Sequence, residues 1–178
     1  MMLEQTDALL TIAEVSATFA GFAALVTLFA RRRVDGAVAH DLLRLRLVIG
    51  MSVVVVMAAL IPVAVAGFGL VESIVWQVSA AFFLLLIYFV ISSFVTSYIP
   101  VKGSFPPDNL AVLVAVSMEI LIQVCLILVL VGVASERQYG LYTSALIATI
   151  GQVAFIFLRL VGSTFSGIVY KSESSQSV

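Results

Sequence analysis

The chain has 178 residues, of which 62% are apolar and only 11% charged, with a net charge of −1. About a quarter of the residues in a soluble domain are charged, so this chain has too few polar side chains to cover a water-soluble globule. The absence of a basic tail excludes a nucleic-acid-binding role.

A helix needs about 20 mostly apolar residues to cross a bilayer core roughly 30 Å thick. Five stretches meet that requirement: Ala8–Ala30, Leu47–Leu70, Ile74–Ile99, Leu110–Ala134 and Leu141–Val161. They leave about 60 residues for tails and connections, too few for a further domain. The runs are continuous and lack the period-2 alternation of membrane barrel strands. The expected fold is therefore all-α: a polytopic integral membrane protein with five transmembrane helices. A single helical domain over residues 1–170 is followed by a polar, low-complexity and disordered tail over 171–178.

The first span carries the richest pattern. At 100° per residue, Asp7, Thr11, Glu14, Thr18, Gly21 and Leu25 fall within about 40° of one line along the helix. Ala13, Ala17, Ala20 and Ala24 form a ribbon on an adjacent face, where small side chains let another helix approach closely. Polar side chains within a span are informative because a membrane helix does not need them. One reading makes the stripe the lining of an aqueous or ion path, with acidic groups at its outer mouth. The other has Glu14 bonded to a neighbouring helix and the threonines bonded to their own carbonyls four residues back.

The connection after this span contains Arg31, Arg32 and Arg33, and Arg44 and Arg46 follow close to the second span. These arginines fit an orienting role and are candidates for binding anionic lipid headgroups. Pro62 lies inside the second span, where it removes a helix donor, frees the Ala58 carbonyl and predicts a kink. Trp76 and Tyr98 bracket the third span as interfacial anchors, and Tyr139 and Tyr142 occupy the same role at the start of the fifth.

Glu119 and Gln123 stand four residues apart in the fourth span, with Glu119 about 14 Å from the end of its helix. An isolated ionised carboxylate at that depth would cost several kcal/mol. Along the fifth helix Gln152, Arg159, Ser163, Ser166 and Tyr170 share a face about 60° wide. Gln152 lies at a depth similar to Glu119, which predicts a Glu119–Gln123–Gln152 cluster. Arg159 is expected to reach for the headgroups or to pair with Glu119.

Basic residues collect on the cytoplasmic side of membrane proteins. With the N-terminus outside and the C-terminus cytoplasmic, Arg31–Arg33, Arg44, Arg46, Lys102 and Lys171 all fall inside and only Arg137 outside. The region before Arg31 has no basic residue and so lacks the n-region of a standard signal peptide. A plasma or inner membrane location is expected. Cys125 is the single cysteine, so no disulfide forms within the chain.

No catalytic or metal constellation is present: one histidine, no HExxH, no nucleophile elbow, no Walker loop. No enzyme activity and no cofactor are expected. The odd span number and the single interrupted helix do not resemble the inverted repeats of secondary transporters. Two functions lead, ahead of proton- or cation-coupled transport of a small solute with Glu119 as the carrier group. The first is a homo-oligomeric channel or ion-conducting pore lined by the helix 1 stripe, with small ions as the permeant. The alternative is a non-conducting scaffold or accessory subunit that packs through small-residue faces. The partners are the lipid bilayer and other copies of the chain for the channel, and the bilayer with other copies or another protein for the scaffold.

Overall fold

The structure is a computed structural model that describes residues 2–30, 37–99, 109–133 and 135–174, with side chains over 5–26, 42–99, 109–133 and 136–162. Five helices occupy nearly all of it: α1 (Met2–Ala30), α2 (Ala37–Ala66), α3 (Glu72–Tyr98), α4 (Asn109–Val131) and α5 (Gln138–Ser174), with a 3-10 turn at Ser135–Arg137. No strand occurs among the described residues. Each helix contains a segment long and apolar enough to cross a membrane: Gln5–Val26, Leu42–Ala66, Glu72–Tyr98, Asn109–Val131 and Gln138–Gly162.

The expected spans all correspond to helices, and the helix ends differ in instructive ways. Apolarity marks where lipid begins, whereas a helix continues until its hydrogen-bond ladder is stopped. So α1 and α2 begin earlier than their apolar cores, in polar sequence. α5 runs on to Ser174, through Lys171–Ser174, which composition assigns to a disordered tail. Residues 175–178 of that tail lie outside the described residues. Where helices end sooner than expected, glycine is the cause. α4 stops at Val131 because Gly132 takes a φ of 73°, and its amide bonds back to the Val129 carbonyl at 3.1 Å. Only glycine adopts that conformation without steric cost. α2 stops at Ala66, before a turn whose Gly69 has a φ of 70°.

α2 is the centre of the bundle and packs against α1, α3 and α5, while α4 packs against α3 and α5. The core between the helices is filled by Leu45, Val48, Val55, Ala58, Ala59, Phe83, Ile122, Leu126 and Leu146. For helices in a bilayer, lipid is as apolar as such side chains, and close packing rather than expulsion from water is what joins them. The α1–α2 seam shows how. Leu9, Ala13, Ser16 and Ala23 are the buried residues of α1, and the Ser16 hydroxyl donates to the Ser52 carbonyl at 3.2 Å.

The proline in α2 has a partner that the sequence does not announce. The Tyr142 hydroxyl of α5 donates to the Ala58 carbonyl at 2.6 Å, the acceptor that Pro62 deprives of its backbone N–H. Tyr142 is wholly enclosed, with the Trp76 ring at 5.5 Å and the Phe83 ring at 5.9 Å. Trp76 is 6% exposed. These two aromatic side chains are therefore core elements of the bundle and not interfacial anchors. An aromatic residue near a span end satisfies either environment, and here a partner on a neighbouring helix decides between them. Tyr139 is half-buried with its ring 5.6 Å from Trp76, and Tyr98 stacks on Phe94 at 5.8 Å.

Candidate functional site

The polar stripe of α1 lies on the outside of the bundle. Asp7, Thr11, Glu14, Thr18, Gly21 and Leu25 are all exposed, because α1 turns the opposite face to α2. The side chains of Leu9, Ala13, Ser16 and Ala23 point about 180° away from Asp7. This geometry also corrects the alanine ribbon. Ala13 is buried and Ala20 half-buried, but Ala17 and Ala24 are exposed. The close-packing line instead runs Leu9, Ala13, Ser16, Ala20, Ala23, with alternating steps of four and three residues. Sequence reasoning missed Ser16, although that spacing of small residues is a legible signal.

Both stripe threonines bond within their own helix: Thr11 donates to the Asp7 carbonyl and Thr18 to the Glu14 carbonyl, each at 2.9 Å. The Asp7 and Glu14 carboxylates make no hydrogen bond or ion pair with any described residue. Glu14 is six residues inside the apolar run that starts at Ala8, about 9 Å along the helix. A single copy of the chain thus holds a carboxylate within its first candidate span, on its outer surface.

The second expected cluster is only partly assembled. The Gln123 amide donates to Glu119 Oε1 at 3.1 Å, so these two side chains meet as their spacing predicts. Gln152 instead donates to the Ala115 carbonyl at 3.2 Å, one turn of α4 from Glu119. It joins α5 to α4 through the backbone, not through the carboxylate. Glu119 Oε2 and Gln152 Oε1 are both buried acceptors without a donor. Arg159 lies nearer the end of the bundle. Its guanidinium stands 6.0 Å from the centre of the Phe155 ring, and it lines a cavity of about 70 Å³ with Arg44, Ala111, Phe155 and Ile156. Ala111 is eight residues from Glu119, about 12 Å along α4. This places Arg159 near the start of α4 and away from Glu119.

Of the arginines expected at lipid headgroups, Arg31, Arg32 and Arg33 lie outside the described residues. Arg44 is half-buried beside Arg159. Arg46 is exposed and donates to the Ser93 hydroxyl of α3 at 3.3 Å. Among the described residues no group of three His, Cys, Asp or Glu side chains is placed to hold a metal ion. Comparison of the chain with protein-family models, with curated proteins and with solved structures gives no match.

Proposed function

We propose that the protein is a homo-oligomeric membrane channel in which several copies turn the Asp7–Leu25 face of α1 toward a shared axis. The observation that carries this reading is the exposure of Glu14 within the first candidate span, on the face of α1 opposite to α2. A carboxylate facing acyl chains is costly, and such groups are found facing a protein interior or a water-filled path. The interior of one copy is filled with apolar side chains. Symmetric association therefore supplies the polar environment that one copy does not contain. In this arrangement Asp7 and Glu14 form acidic rings favouring cations, and Leu25 forms an apolar constriction. The arginine-rich end of the bundle faces the cytoplasm, with the N-terminus outside, in a plasma or inner membrane.

A second reading rests on the threonines. Because Thr11 and Thr18 bond to their own backbone, their methyl groups suit a dry protein contact. The α1 face would then seat a scaffold partner and conduct nothing. Ion flux from liposomes containing the purified chain separates the two, measured alongside Glu14→Gln with the assembly mass determined on the same samples. The channel reading expects flux that Glu14→Gln changes about tenfold, equivalent to roughly 1.4 kcal/mol of barrier, at unchanged mass. A well-formed assembly without flux for several ions and pH values overturns it in favour of the scaffold.

A further inference from the structure

α2 and α3 approach closely at Gly50. A side-chain carbon added there would stand 3.2 Å from Val90 Cγ1, so the absence of one allows the close approach. Between the two helices, from Gly50 toward the arginine-bearing end, lies a cleft of about 510 Å³. That volume falls in the range of small-molecule sites, about 300–1,000 Å³. The cleft opens to the outside of the bundle past Phe89, which is 73% exposed.

The lining combines polar and apolar side chains. Gly50, Val90 and Phe89 form the deep part, and Arg46, Ser93 and Ser97 lie toward the mouth beside Leu42, Leu43, Leu47 and Phe94. Arg46 directly precedes the apolar run that starts at Leu47, and Ser93 is five residues inside the end of α3, so the two meet near one end of the bundle. An arginine at the start of a span reaches the phosphate level. From Leu42 at the mouth to Gly50 is about 12 Å. None of the described residues lining the cleft is acidic. The Ser93 bond occupies one of five guanidinium donors and fixes the group at the cleft's edge.

We infer that this α2–α3 cleft is a binding site for one anionic phospholipid, with its headgroup phosphate on Arg46 and an acyl chain lying between Leu47 and Phe89. Polar and apolar parts of the lipid meet matching parts of the cleft, and Arg46 supplies the preference for negative charge. The inference does not depend on whether the protein conducts.

The test uses the full chain in neutral detergent micelles doped equally with phosphatidylglycerol and phosphatidylcholine, with retained lipid counted by native mass spectrometry. One phosphatidylglycerol per chain is expected, retained about fivefold over phosphatidylcholine, roughly 1 kcal/mol of discrimination. Arg46→Gln brings the two lipids to parity, whereas Arg137→Gln at the opposite end changes nothing. Ser93→Phe fills the mouth with Arg46 intact and lowers retention of both lipids. It keeps the test open should Arg46→Gln fail to fold, as judged by circular dichroism. Millimolar glycerol phosphate leaves the lipid in place. Equal retention of the two lipids by the natural chain, retention unchanged in either folded variant, or displacement by glycerol phosphate overturns the assignment.

Discussion

In the seams of the bundle, polar side chains reach across to another helix: Ser16 to Ser52, Tyr142 to Ala58, Gln152 to Ala115. On the outer face of α1 they reach only back onto their own helix, and the carboxylates of Asp7 and Glu14 make no bond to a described residue. In hydrocarbon a polar group needs a partner, because no water replaces one. The seams meet much of that need within one copy and so serve stability, although Ser52, Glu119, Gln138 and Gln152 each keep a buried polar atom unpaired. The α1 face does not meet it among the described residues, and in the proposed function its partners come from other copies of the chain. The two regions should therefore respond to substitution in different ways: seam changes alter stability, and α1 face changes alter flux.

The largest expected effect tests the seams. Tyr142→Phe leaves the Ala58 carbonyl buried without a donor and should cost about 1–3 kcal/mol in reversible unfolding. In a Pro62→Ala background the restored amide of residue 62 serves that carbonyl, so the same Tyr142→Phe change should cost less than half as much. A double-mutant cycle reads the difference as coupling between the two sites. Equal costs in the two backgrounds would show that the tyrosine acts by packing alone.

Glu14→Gln should do the reverse, changing flux about tenfold with less than about 0.5 kcal/mol in stability. Glu119→Gln should have the smallest effect on both. The new amide oxygen still accepts from Gln123, so stability moves by under about 0.5 kcal/mol and flux per assembly stays unchanged. A Glu119→Gln variant that altered flux as strongly as Glu14→Gln would move the path from α1 to the α4–α5 side.

How much of this the sequence carried depends on which physics was at work. The five spans were legible because a long apolar run is the direct requirement of a bilayer. Helix ends were less so, since Gly132 and Gly69 stop helices by backbone conformation while the apolar sequence continues past them. The α1 stripe was legible as a periodicity from Asp7 to Leu25, but periodicity does not say which face meets the next helix. The steps from Leu9 through Ser16 to Ala23 determine that, and they lie opposite the stripe. For Tyr142 half of the interaction was readable. Pro62 exposes the Ala58 carbonyl as an acceptor, but its donor comes from a residue 84 positions away, which no local pattern reveals. Glu119 and Gln123 met as predicted because a four-residue step fixes neighbours within one helix. Gln152 and Arg159 depend on how α4 and α5 pack, so equal depth alone did not bring them to Glu119.

The central claim is that other copies of the chain cover the α1 face, and oxidative cross-linking tests it most directly. A side-chain carbon at Gly21 meets nothing within 4 Å in one copy, so Gly21→Cys is accommodated, in a chain whose single buried Cys125 is replaced by alanine. Phe82→Cys, on the exposed side of α3, serves as the comparison in the same liposomes. The account predicts a disulfide-linked dimer from Gly21→Cys under mild oxidation and little from Phe82→Cys. No dimer from Gly21→Cys, or equal dimer from both positions, would contradict it.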